Sequence, residues 1–406
     1  MTKLLISSFD MEVGGVERSL AGMLNQFDYD NHQVDLLLYR HQGDFMGLLP
    51  DRANLLAEVA QYATFRYSIA ETFRSKHYGI GVTRLLSKII SGIYGKLRSI
   101  SEIGYIQQQF MWKLALPFLP KLNLEYDVAI SYLWPHYFVA EKVKAKRKIA
   151  WIHTDYSTVD TDIKMDLRMW QSFDTIIAVS DACRDAFLAK YGSLADRVKV
   201  VENIVSPESI QSQASTAEMV NPMRTDSRFK LLTVARLSHA KGIDQAVLAL
   251  KTLRERGYGR IAWYVVGYGG DEAEIRRLIA EHNLTDHFIL LGKQTNPYPF
   301  MEACDLYVQP SRYEGKAVTV TEAQILGKPV LITNYTTAAS QVNHGVDGYI
   351  AELSVEGLAD GIEELYSNDA VRHGLAQYCG AHSFHNRDEL RKLYELMGSK
   401  RKEYAS

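Results

Sequence analysis

At 406 residues the chain is longer than a single hydrophobic core usually serves, so two domains are expected. Its 47% hydrophobic and 23% charged residues are ordinary for a globular protein, and a formal charge of −2 offers no global field for nucleic acid. Cys183, Cys304 and Cys379 are far apart in apolar sequence with no Cys-x-x-Cys spacing, which reads as buried reduced thiols suited to the cytosol. The apolar run in Met1–Phe9 is too short for a signal-peptide core, and no run approaches the roughly 20 apolar residues of a membrane span.

Taken in order, strand-like runs alternate with helical patterns, the signature of a parallel α/β sheet. Lys3–Phe9 reads as a strand and Gly14-Gly15 as a turn. Val16, Leu20, Met23, Leu24 and Phe27 then recur at helical spacing. Val34–Tyr39 is a second strand. In the following segment, Leu85, Leu86, Ile89, Ile90 and Ile93 keep a helical period with Arg84, Lys88, Lys96 and Arg98 interleaved. Such a helix, across residues 82–98, either lies on an anionic membrane surface or packs its stripe inward, and the pattern leaves both readings open. Asp127–Tyr132, Lys148–His153 and Thr175–Ser180 read as further strands, and the first series closes near Val201–Ile204. The basic cluster Lys142–Lys148 reads as a solvated face. Ser206–Ser227, rich in Ser, Gln, Glu and Pro, has the composition of an exposed connection.

A second alternating series follows, with strands expected at Lys230–Ala235, Ala262–Val266, Phe288–Leu291, Leu306–Val308 and Val330–Thr333. Asp388–Tyr404 reads as a charged helical tail. Ligands in open α/β sheets bind outside the carboxyl ends of the strands, so the polar residues there carry the chemistry. After the strand ending at Ala235, Arg236 and Lys241 straddle a loop and can clamp a diphosphate, one as a planar fork and the other as a point charge. After Leu306–Pro310, Glu314 lies in a loop and Glu322 in the helix Val318–Leu326, stopped by Gly327 and Pro329. That helix opens with free N–H groups and partial positive charge, which suits a phosphate. Gly14 and Gly15, lacking Cβ atoms, can take positive φ and admit a phosphate to the backbone. His153 ends a strand where a cleft would lie. Asp160-Thr-Asp162 could hold Mg²⁺ or Mn²⁺, but far from the clamp it reads as a solvated acidic loop. Val265–Gly270 is weak as a dinucleotide fingerprint, and Arg40 stands where an NAD-binding protein would carry an acid.

The run Glu314–Glu322, flanked by Asn296-Pro-Tyr-Pro299, Ala303-Cys-Asp305 and Asn343–Gly348, resembles the Glu-x7-Glu signature of retaining glycosyltransferases of family 4. It departs from the commonest pattern at Gly315-Lys316-Ala317, where Gly-Phe-Gly usually follows the first glutamate. The resemblance implies a GT-B fold: two Rossmann-like doubly wound parallel-sheet domains facing a central cleft. The expected division is 1–205, with the helix 385–406 packing back on it, as the acceptor domain, and 206–384 as the donor domain. It further implies transfer of a sugar from a nucleotide diphosphate donor, taken as a UDP-sugar, to a hydroxyl of a glycan or lipid-linked acceptor in cell-surface polysaccharide or glycoconjugate synthesis. By the same resemblance Glu314, Arg236, Lys241 and His153 are catalytic. Donor contacts are expected at Gly14, Gly15, Arg236, Lys241, Gly292, Lys293, Glu314, Lys316, Ala317, Val318 and Glu322. No metal or cofactor is called for, and the place of action is the cytoplasm or the inner face of the membrane. An epimerase of the same fold, or a non-catalytic nucleotide- or glycan-binding protein, remains open at this stage.

Overall fold

The computed structural model describes residues 1–98, 100, 103–215, 221–382, 384 and 387–398. The chain forms two compact units. The first comprises Met1–Glu12, Leu20–Glu202 and the C-terminal residues from Asp388, and the second Val13–Ser19 and Asn203–Arg387.

The first unit holds a seven-stranded, wholly parallel sheet. Its strands are β1 (Thr2–Ser8), β2 (His32–Leu38), β3 (Asn54–Leu55), β4 (Glu125–Ser131), β5 (Lys144–Ile152), β6 (Thr175–Ala178) and β7 (Val198–Val200), in the order β3-β2-β1-β4-β5-β6-β7. Near-continuous apolar runs, such as Leu4-Leu5-Ile6 and Ile176-Ile177-Ala178, are buried because helices cover both faces of such a sheet. The order reverses between β1 and β4. The helix Arg387–Met397 belongs here, where Tyr394 Oη accepts from Asp28 N–H at 2.7 Å and Glu389 accepts from Glu202 N–H at 2.9 Å. Positions 385, 386 and 399–406 of the expected tail helix lie outside the described residues.

The second unit holds a six-stranded parallel sheet of β8 (Phe229–Val234), β9 (Ile261–Val266), β10 (Phe288–Gly292), β11 (Leu306–Gln309), β12 (Val330–Thr333) and β13 (Tyr349–Ala351). Its order, β10-β9-β8-β11-β12-β13, reverses between β8 and β11. Strands that reasoning from the sequence passed over, β3, β7 and β13, have two or three residues and lie at sheet edges. They are too short for a period-two pattern to register.

The expected exposed connection at Ser206–Ser227 is corrected by the structure. Pro207–Ala214 is a helix, N-capped by Ser206, and Ile210, Ala214 and Met223 are buried in the core of the second unit. Polar composition concealed three apolar anchors. Residues 216–220 of that stretch are not described. Cys183, Cys304 and Cys379 are buried and outside any disulfide, as the composition suggested.

Candidate functional site

The reversal between β8 and β11 is where a doubly wound sheet leaves a crevice at its carboxyl edge. The loops leaving these two strands carry Arg236–Lys241 and Ser311–Glu314, and they are tied together. Arg312 makes a two-pronged ion pair with Asp244, at 2.8 and 2.6 Å, and also donates to His239 C=O. Gly242 sits at φ 63°, and a Cβ there would lie 2.0 Å from Pro310 C=O. Only glycine permits that approach and that backbone conformation together.

This tie brings Lys241 to Glu314. Lys241 Nζ lies 2.6 Å from both Glu314 carboxylate oxygens. The carboxylate is buried and also accepts from Ser311 Oγ at 2.7 Å and Gln309 Nε2 at 3.1 Å. Gln309 is itself held by donation from Tyr307 Oη at 2.8 Å. The acid is therefore fixed in place by three donors, one of them charged.

Arg236 points elsewhere. It is half exposed and lies 3.9 Å from Glu17, so the two cations expected to act as one clamp have different carboxylate partners. Gly14 stands beside this contact, and a Cβ there would meet Glu17 Oε2 at 2.3 Å and Arg236 Nη2 at 2.6 Å. Neither Gly14 nor Gly15 has positive φ, and a Cβ at Gly15 would meet nothing within 4 Å. The expected positive φ is thus corrected at both residues, and at Gly14 it is space among neighbouring side chains that calls for glycine.

Glu322 occupies the second turn of the helix Val318–Ile325, close to the predicted extent. It is fully buried. Tyr298 Oη donates to its Oε1 at 2.8 Å, Arg18 Nε lies 3.5 Å from the same oxygen, and Arg18 Nη1 donates to Tyr298 Oη at 2.7 Å. Oε2 is buried without a hydrogen-bond partner among the described residues. Burial raises the Glu322 carboxyl above the usual range, with Arg18 and Tyr298 opposing. Arg18 was missed as a site residue, although it stands three residues after the Gly14-Gly15 turn. At the head of the same helix, Ala317 N–H donates to Gln341 Oε1 at 3.0 Å, and Lys316 precedes it. Gly292 ends β10 at φ 71°, and exposed Lys293 lies over the Tyr268 ring at 4.9 Å. Tyr268 Oη in turn donates to Val13 C=O at 3.4 Å.

His153 lies in the other unit, just past β5. Its ring packs between Tyr132 at 4.6 Å and Trp151 at 6.0 Å, with Nε2 enclosed and unpartnered among the described residues. Desolvation lowers its pKa to about 3. His136, whose Nδ1 pairs with Ser131 Oγ at 2.8 Å, is lowered to about 3 by burial and by His153. Asp162 is an N-cap, accepting from Met165 N–H at 2.9 Å and Tyr94 Oη at 3.0 Å, so the solvated-loop reading holds for exposed Asp160 and not for Asp162. Among the described residues no group of three His, Cys, Asp or Glu side chains could hold a metal ion.

Residues 217–380 match the family Glycosyl transferases group 1, and residues 13–209 match Glycosyltransferase Family 4. The chain belongs to the group 1 glycosyltransferases and has the GT-B fold. It is similar to the amylovoran biosynthesis glycosyltransferase AmsK of Erwinia amylovora, 26% identical over 192 residues that cover 45% of each chain. It is also similar to the GDP-mannose-dependent alpha-(1-6)-phosphatidylinositol monomannoside mannosyltransferase of Mycobacterium tuberculosis, 27% identical over 208 residues covering 49% of this chain and 54% of that one. These matches span about half the length of each relative. The crystal structure of Anabaena HepE in complex with UDP-glucose superposes with a TM-score of 0.69 at 17% identity, over 98% of this chain and 100% of that one.

Proposed function

We propose that the protein transfers a sugar, with retention of anomeric configuration, from a nucleoside diphosphate donor to a hydroxyl of a glycan or lipid-linked acceptor in cell-surface polysaccharide or glycoconjugate synthesis. The observation that carries this reading is the Lys241–Glu314 pair at the reversal between β8 and β11. UDP is the favoured nucleotide, since it is the one bound in the HepE structures.

As the glycosidic bond breaks, negative charge gathers on the departing diphosphate. Lys241, Arg236 and the N-terminus of Val318–Ile325 stabilise it, and such preorganised electrostatics is usually the largest catalytic contribution. Because Lys241 already neutralises Glu314, the same ammonium bridges the carboxylate beside the sugar and the leaving phosphate. Glu314 balances the positive charge that develops on the sugar. The unpartnered Oε2 of Glu322 accepts from a ribose hydroxyl, and Arg18 sets the carboxylate's orientation. Gly14 gives the phosphates room beside Arg236, with Lys293, Gly292, Lys316, Ala317 and Val318 along the donor's length. His153, neutral at pH 7, hydrogen-bonds a sugar hydroxyl. The reaction uses no metal or cofactor. The protein acts at the cytoplasmic face of the membrane, which it touches through residues 82–98.

A screen of UDP-, GDP- and dTDP-sugars for nucleotide release, with lipid-linked and oligosaccharide acceptors and with EDTA present, tests the reading. Release and transfer with one donor are expected. No release with any donor, or activity abolished by EDTA and restored by Mn²⁺, would contradict it.

A further inference from the structure

The helix Tyr78–Arg98 of the first unit is packed the opposite way round from a core helix. Its buried positions are Ile80, Gly81, Thr83, Ser87, Ser91 and Gly95, small or hydroxyl-bearing except for Ile80. The hydroxyls are satisfied within the helix, Thr83 donating to Ile80 C=O at 2.8 Å and Ser87 to Arg84 C=O at 2.8 Å. A Cβ at Gly81 would lie 2.9 Å from the Phe73 ring, and one at Gly95 would lie 2.4 Å from Ile103. At Gly81 and Gly95 this face has no room for a side chain, so rotating the helix to bury its large ones is sterically closed.

The large residues therefore face outward. Val82, Leu85, Leu86, Ile89, Ile93 and Leu97 are exposed, from 43% at Leu85 to 81% at Leu97. At about 100° per residue they fall within an arc roughly 120° wide, running about 22 Å along the helix. Tyr78, 61% exposed, stands at one end. The helix contains no Asp or Glu, while Lys88, Lys96 and Arg98 are exposed along it.

We propose that this stripe inserts into the interface of a bilayer containing anionic phospholipid. A broad apolar face with cations beside it is the composition that binds such a surface. A second copy docking stripe to stripe would bring like charges together, with no acid on the helix to answer them. The proposal deepens the transfer reading by giving the contact at 82–98 a defined partner and a defined face. Among the described residues no helix is long and apolar enough to cross a membrane, so the contact is peripheral where these residues are concerned.

The test is co-sedimentation of the full chain with phosphatidylcholine vesicles, with and without phosphatidylglycerol, at low and high salt. Ile89→Ser/Ile93→Ser and Lys88→Glu/Lys96→Glu serve as variants. Wild type should bind the anionic vesicles and release in salt, and each variant should bind about tenfold or more weakly. Melting temperature and UDP-sugar binding should be unchanged, since all four side chains are exposed. Wild type left in the supernatant would overturn the proposal, as would variants that bind like wild type. Dimers in sedimentation velocity that Ile89→Ser/Ile93→Ser disperses would assign the stripe to a second copy and overturn it too. Vesicle binding without binding of any donor would leave the docking intact and contradict the transfer reading alone.

Discussion

Replacing Lys241 by Met removes one charge from a contact in which Nζ lies 2.6 Å from both Glu314 oxygens. At an effective dielectric constant near 20 the direct attraction is about 6 kcal/mol, most of it offset by desolvation of the two groups. The net value of a hydrogen bond to a charged group is about 1.5–3 kcal/mol. Glu314 keeps Ser311 and Gln309 as donors, so the loss of unfolding free energy should be about 2 kcal/mol. Glu314→Gln removes the charge from the other side. The double variant should then lose less than the sum of the singles, with a coupling of about 1–2 kcal/mol. Catalysis should behave differently: kcat should fall roughly 10²-fold in each single variant and not recover in the double, because both charges act on the transition state. Urea unfolding monitored by circular dichroism, beside donor-dependent kinetics on the same preparations, gives both numbers. Strictly additive stability losses with kcat within twofold of wild type would refute the reasoning.

The other predictions concern the buried acid, the glycine turn and the histidines. Glu322 has a raised folded pKa, so the folded state binds its proton first, and its contribution to stability falls as pH rises from about 4.5 through that pKa. Glu322→Gln should therefore be at least as stable as wild type at pH 7, the gap closing towards pH 4.5, while donor affinity in calorimetry drops; a variant much less stable at pH 7 would contradict this. Gly14→Ala should raise the donor KM with little change in melting temperature, since the atoms nearest the new Cβ are the far ends of the Glu17 and Arg236 side chains. Gly15→Ala should change neither, and equal effects from the two would argue against the geometry. For His136 and His153 the folded pKa is depressed to about 3, so the unfolded state takes up their protons first as pH falls below about 6.5. The stability they contribute is full above that pH and lost between about 6.5 and 3, and His136→Asn should flatten the decline seen in urea unfolding between pH 7 and pH 4.

Much of this was legible because strands and loops punctuate an α/β chain clearly. Reading polar residues only at strand ends picked out Arg236, Lys241, Glu314 and Glu322, and the strand order places the first three at the reversal between β8 and β11. What pairs with what was not legible. That Lys241 goes to Glu314 while Arg236 goes to Glu17 depends on loops pressed together at Gly242 and Gly14, a consequence of packing with no signal in spacing. The Arg18–Glu322 contact joins distant parts of the sequence, a pairing that residue spacing does not signal. For Tyr78–Arg98 the pattern gave the stripe but not its direction. The direction is set by Gly81 and Gly95, which the apolar count ignored.

The most direct test is the anomeric configuration of the product formed from an α-linked UDP-sugar, read by proton NMR as the reaction proceeds. An α-linked product, formed by wild type and at a rate roughly 10²-fold lower by Lys241→Met, is the predicted result. A β-linked product would contradict retention, and no product from any nucleotide sugar would contradict transfer itself.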